Sequence, residues 1–182
     1  MGVLSTILLL AKNVAIVFLV VLIVNLILPF VSTFLYPPKL GVSVAPISGL
    51  KFIKGASCPV PTPKKVTVIE IWATWCGPCV RTIPHLSQIA NRFKDSVSFV
   101  GITQESLNDE AKIVAFVEKM GDKMDYCVAI DGLGESRVVM KDSAGLGIPH
   151  VIVIGADGKM KWAGHPMKAA FVDAVVKAVN EQ

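Results

Sequence analysis

Charge is almost missing from the start of this chain. Of its 182 residues, the stretch from Val3 to Leu35 holds a single charged side chain, Lys12. It shows no polar face at helical period, which argues against a buried core helix of a folded domain. Cysteine is scarce as well: four residues, of which only Cys76 and Cys79 stand at motif spacing. With no second C-x-x-C and three scattered histidines, the four ligands of a structural zinc site are not supplied by any evident pattern. The net charge of +4 comes from dispersed lysines, with no run of five like charges and no aromatics interleaved with a basic stripe, so nucleic-acid binding is not expected. Internal repeats are absent, and no Ala-x-Ala-like site closes the apolar N-terminal run, which argues against a cleaved signal peptide.

What is there begins with that run. Val14 to Leu35 spans 22 residues, and a bilayer core needs ~20 at helical rise. Asn25, Pro29, Ser32 and Thr33 interrupt it, all of them tolerated in membrane helices when neighbours or local rearrangement satisfy the backbone. Residues 1–36 are therefore expected to be an uncleaved signal-anchor, with the helix at 14–35 in the lipid bilayer. Its orientation is contested by charge, since Lys39, Lys51 and Lys54 follow the span while only Lys12 and the α-amino group precede it. Tyr36-Pro37-Pro38, Gly41, Pro46 and Gly49 make 37–49 an extended linker, and 50–182 the folded domain.

Within that domain, strands are expected at Leu50–Ile53, Val66–Trp72, Val97–Thr103, within the apolar run Met124–Ile130, and at Val151–Ile154. Helices are expected from Cys76 to about Phe93, from Asp109 (capped by Asn108) to Met120, from Ser136 to Asp142, and from Met167 to Val179. Gly55 to Pro63 reads as a proline-rich loop, and Asp157-Gly158 turns a hairpin into Lys159–Ala163. Ala170, Phe171, Ala174, Val175 and Ala178 form one buried face of the last helix. Strands alternating with helices, followed by a hairpin, argue for an α/β fold with a mixed central sheet flanked by helices.

Cys76-Gly77-Pro78-Cys79 carries the chemistry. A C-x-x-C is either half a zinc site or a redox pair. Cys76 follows a strand and opens a helix, where free N–H groups and the helix dipole favour a thiolate. Two intervening residues put Cys79 one turn on, placed to resolve a mixed disulfide on Cys76.

Trp72-Ala73-Thr74-Trp75-Cys76-Gly77-Pro78-Cys79 resembles the active-site segment of thioredoxins, and Thr74 that of the TlpA/ResA branch. Pro84, five residues past Cys79, stands where thioredoxins kink their long helix, and Gly147-Ile148-Pro149 resembles their cis-proline segment. Trp162-Ala163-Gly164-His165-Pro166-Met167 is similar to a terminal segment of some bacterial members. The resemblance covers about Leu50–Val179 and implies a thioredoxin-like fold with a helix–strand insertion at about Asn108–Asp131. It also implies a membrane-anchored thiol–disulfide oxidoreductase of the bacterial inner membrane, with its catalytic domain in the periplasm. Exported thiol or disulfide proteins (apocytochrome c among them) would be reduced, electrons would come from a membrane-embedded or dithiol donor, and no bound cofactor would be needed.

On that resemblance Cys76 attacks, Cys79 resolves, and Pro149 presents Ile148 beside the disulfide for a substrate strand. Glu70 stands six residues before Cys76, where thioredoxins carry a buried Asp and many TlpA-like proteins an Asn. It is expected to exchange a proton with Cys79, weighed against a surface ion pair on an open sheet face, since strand alternation alone does not bury it. Trp75 is expected to offer substrates an apolar surface, and Trp72 to lie in the core. Gly77-Pro78 resembles reducing thioredoxins. His150 is weighed as a tuner of the thiols or a solvated side chain, and His85 and His165 as surface residues. Cys127 is expected to be an inert core thiol and Cys58 a loop thiol, with a disulfide between them left open by the spacing. Two other functions stay open: a disulfide oxidase or isomerase, and a non-enzymatic metal-delivery module using the same thiols.

Overall fold

The computed structural model describes residues 2–35 and 37–182, with side chains in the N-terminal helix described for Gly2 and 12–27. The chain divides into two compact units, Met1–Pro37 and Pro38–Gln182. The first is α1 (Gly2–Leu35). Its described side chains from 12 to 27 are exposed, and the Asn25 side-chain amide donates to the Val21 carbonyl at 2.7 Å within the same helix. No helix among the described residues is long and apolar enough to cross a membrane. The span expected over Val14–Leu35 runs beyond the described side chains, which stop at Ile27.

The second unit is built on a six-stranded mixed sheet in the order β1-β4-β3-β2-β5-β6. Its strands are β1 (Leu50–Lys54), β2 (Val66–Trp72), β3 (Val97–Thr103), β4 (Cys127–Asp131), β5 (His150–Ile154) and β6 (Met160–Gly164). β2, β3 and β4 run parallel, β1 and β5 pair antiparallel on either side of them, and β6 completes the hairpin with β5. The β2 and β3 bounds coincide with those expected, because both are β-branched runs ended by polar or turn residues.

Both faces of β2 are covered, so every residue in it is buried. One face carries Val66, Val68 and Trp72 against α2 (Gly77–Arg92), α3 (Glu110–Met120) and α5 (Ala169–Asn180), through Ile83, Leu86, Ile113, Val117, Phe171 and Val175. The other carries Ile69 and Ile71 against Ile47, Val60 and Val139, the last from α4 (Ser136–Asp142). The face expected on α5 is narrower than its apolar pattern: Phe171, Val175 and Ala178 are buried, Ala174 is half-buried and Ala170 exposed.

Pro38–Gly49, within the segment expected as an extended linker, belongs to the second unit. The chain there is extended but bonded: Lys39 N–H donates to the Asp142 carbonyl (2.9 Å), Val44 N–H to Gly158 (2.9 Å) and Ile47 N–H to Val60 (2.7 Å). Asp109 stands at the N-cap of α3, where Asn108 was expected, and makes no side-chain cap bond. A 3-10 turn at Leu107–Asp109 precedes the helix, and the Ser106 hydroxyl accepts the Asn108 N–H at 3.1 Å.

Candidate active site

The turn after β2 places the two cysteines. Cys76 N–H donates to the Ala73 carbonyl (3.1 Å), which folds Ala73–Trp75 back over the strand end. Cys76 is then the N-cap of α2, its Sγ accepting the Cys79 N–H at 3.1 Å, so a sulfur stands where a capping oxygen usually does. Gly77 and Pro78 fill the first two helical positions, where a missing N–H costs nothing, and both are exposed. Cys76 and Cys79 are joined by a disulfide with sulfurs 2.06 Å apart. Both are buried, while the neighbouring Trp75 is 71% exposed.

Glu105, at the end of β3, pins this turn. Its carboxylate accepts from Thr74 N–H (2.7 Å), the Thr74 hydroxyl (2.6 Å) and the Thr103 hydroxyl (3.1 Å). Burial alone would raise its pKa. The Thr74 and Thr103 hydrogen bonds and the charge of Lys112 more than reverse that, holding it below the usual carboxylate value.

Glu70 is fully buried, on the same face of β2 as Val68 and Trp72 and thus on the side of the sheet that carries Cys76 and Cys79. Tyr126, just before β4, donates its hydroxyl to Glu70 Oε2 at 2.5 Å, and Oε1 has no hydrogen-bond partner among the described residues. Desolvation lifts the carboxyl from 4.5 to about 8, with the Tyr126 hydroxyl pulling the other way. Burial and the facing carboxylate together push Tyr126 well above its ordinary value. Glu70 is therefore neutral through most of the physiological range, a carboxylic acid with one free oxygen.

The Ile148–Pro149 bond is cis, the isomer implied by the resemblance. Ile148 packs against the cluster that holds both cysteines. It also joins Trp75, Ala73, Gln104, Glu105 and Arg137 around a cavity of about 260 Å³. Trp75 and Ile148 thus line one depression. His150 is neither solvated nor turned to the thiols. It pairs with Ile71 across the β2–β5 ladder, on the face opposite Glu70, and its Nε2 lies 2.9 Å from the Ser143 hydroxyl. Burial lowers its pKa from 6.5 to about 4. His165 is exposed and His85 half-buried, and Cys127 is half-buried rather than a core thiol. Among the described residues, no three His, Cys, Asp or Glu side chains converge as a metal site.

Tyr126 and Glu105 were not singled out from sequence. Gly101 was the available signal for the first. A glycine inside a strand marks a close approach, and Gly101 lies directly across from Glu70. A Cβ there would come within 3.0 Å of the Tyr126 ring, 3.2 Å of Trp72 Nε1 and 3.4 Å of Glu70 Oε2. Nothing in local sequence links Glu105 to Thr74.

Residues 61–170 match the Redoxin family along their length. The chain belongs to that family. Together with a closed Cys-x-x-Cys pair at the head of α2, this makes it a thiol–disulfide oxidoreductase. Among Redoxin-like relatives, it is 31% identical over 88 residues to a thioredoxin of Coprinus comatus, covering 44% of this chain and 83% of that one. It is 23% identical over 113 residues to the sporulation thiol-disulfide oxidoreductase A of Bacillus subtilis, covering 62% and 66%. The solution structure of a disulfide isomerase-like protein from Bacteroides thetaiotaomicron superposes with a TM-score of 0.62 at 21% identity, over 80% of this chain and 91% of that one. The fold is thioredoxin-like.

Proposed function

We propose that this Redoxin-family chain is a membrane-anchored reductase of TlpA/ResA type, working on exported proteins outside the cytoplasm. The observation that carries the chemistry is the Cys76 sulfur at the N-cap of α2, next in the chain to the exposed Trp75. In the reduced enzyme, the Cys76 thiolate is stabilised by the N–H it already accepts and by the helix dipole. It attacks a substrate disulfide, forming a mixed disulfide and releasing one substrate thiolate. Cys79 then attacks the Cys76 sulfur, freeing the second substrate thiol and closing the disulfide. Glu70, through the fraction ionised at the working pH, takes the Cys79 proton in that step and returns it when a donor dithiol reduces the pair. An extended substrate segment lies along Ile148 and Pro149, with Trp75 against its apolar side chains.

The anchor is supported by the near absence of charge from Val3 to Leu35 and by the exposed apolar side chains of α1 from Val14 to Ile27. A bilayer would cover them. A translocated domain requires that the lysines after the span not dictate orientation, as happens with folded domains. Apocytochrome c cysteines suit such an enzyme, as do other exported dithiols.

Trapping tests this directly. The full chain carrying Cys79→Ser, expressed in its own cells, is expected to accumulate mixed disulfides on Cys76 with exported proteins. Recovery of no adducts, or of cytoplasmic partners alone, overturns the proposal.

A further inference from the structure

Cys58 and Cys127 take no part in the chemistry above. Both pack against the sheet face that carries Ile69, Ile71 and Val100, the side away from Glu70 and the active pair. Cys127 opens β4 and pairs with Val100 of β3. The Cys58 sulfur lies 3.9 Å from the hydroxyl of Ser98, two positions back along β3 on that same face. The loop after β1 is folded onto Cys127. Gly55, at φ +78°, lies so close that a Cβ would meet the Cys127 sulfur at 2.6 Å, and that sulfur is 3.8 Å from the Ala56 carbonyl. Both thiols are free and half-buried, open to small reagents.

We propose that Cys58 and Cys127 are a second redox pair, closing an intramolecular disulfide that staples the loop after β1 to the head of β4. Burial pushes the Cys127 thiol up, and its electrostatic interaction with Cys58 adds to the rise. The oxidant is a small disulfide of the glutathione class. One protein thiolate attacks it and releases one small thiol. The second protein sulfur then displaces the other, so that two protein thiols become one disulfide and one small disulfide becomes two thiols. The link ties edge strand β1, through its loop, to the strand it pairs with, and leaves Cys76 and Cys79 on the far face.

The test uses the full-length chain in detergent, treated with oxidised glutathione, blocked with maleimide, digested and weighed. Expected is a peptide pair joined through Cys58 and Cys127, two hydrogens lighter than the reduced pair, with Tm raised by roughly 5 °C. In Cys58→Ser the same oxidant should leave Tm unchanged, with turnover within about twofold of the parent. The proposal is overturned if both thiols of the folded protein remain maleimide-labelled. It is equally overturned if they end only as glutathione adducts or chain-to-chain links, or if they join only after unfolding in urea.

Discussion

At the scale of single residues, the site turns on a carboxyl that the protein keeps uncharged. Glu70 is fully buried, yet among the described residues only one of its oxygens has a partner, the Tyr126 hydroxyl. A hydroxyl donating to a carboxylate favours the ionised form, so Tyr126 limits how far burial raises the pKa. Tyr126→Phe should move the Glu70 titration upward by about half a unit to one unit. The alkylation rate of Cys79 in the reduced enzyme, followed against pH, reads that shift. The same substitution made in Glu70→Gln should produce none, and an equal shift in both backgrounds would remove Tyr126 from the proton path. Little of this pair was legible in sequence. The offset of Glu70 from Cys76 pointed to a role, but alternation along β2 could not show that both faces of the strand are covered. Tyr126 sat unremarked in an apolar run, its partner distant in sequence and adjacent only through the β2–β3–β4 ladder.

At the scale of elements, the strands were the most legible part, because a β-branched run flanked by turn residues announces its own limits. β2, β3 and α4 fall where the pattern puts them. α3 starts one residue later than expected, at Glu110, because a 3-10 turn capped by Ser106 comes first and shifts the helix cap from Asn108 to Asp109. The turn that presents Cys76 depends on a contact between elements of the same hidden kind. Glu105 ties Thr74 to the end of β3 through two hydrogen bonds of 2.7 and 2.6 Å. Charge-assisted bonds of this sort set geometry as well as energy. Glu105→Ala should cost about 1–3 kcal/mol of stability by leaving the Thr74 donors without their acceptor. It should also slow disulfide reduction about tenfold by loosening the Cys76 approach. Urea unfolding and turnover measure the two effects. A stability loss with unchanged turnover would make Glu105 a structural residue alone.

At the scale of the whole domain, two buried groups with opposite shifts shape stability against pH. Glu70 ionises near 4.5 when unfolded and near 8 when folded. Its contribution is complete below about pH 4.5 and drains away as pH rises to about 8, because the unfolded chain gives up a proton that the fold retains. His150 runs the other way, from 6.5 unfolded to about 4 folded, so its contribution is complete above pH 6.5 and is lost as pH falls towards 4. Between pH 4.5 and 6.5 the two slopes oppose each other, each about 1.4 kcal/mol per pH unit. The oxidised protein should therefore show a nearly level unfolding free energy across that window, then a fall of about 2 kcal/mol by pH 8. Glu70→Gln removes one slope and leaves the other. Its profile should climb from pH 4 to 6.5 and then stay flat, overtaking the parent on the alkaline side. Urea titrations at half-unit steps of pH, with the Cys76–Cys79 disulfide kept closed, provide the measurement. A Glu70→Gln profile that still falls above pH 6.5 would place the alkaline loss on another group and make Glu70 an ordinary carboxylate. Such a carboxylate would be too weak a base to draw the proton from the Cys79 thiol.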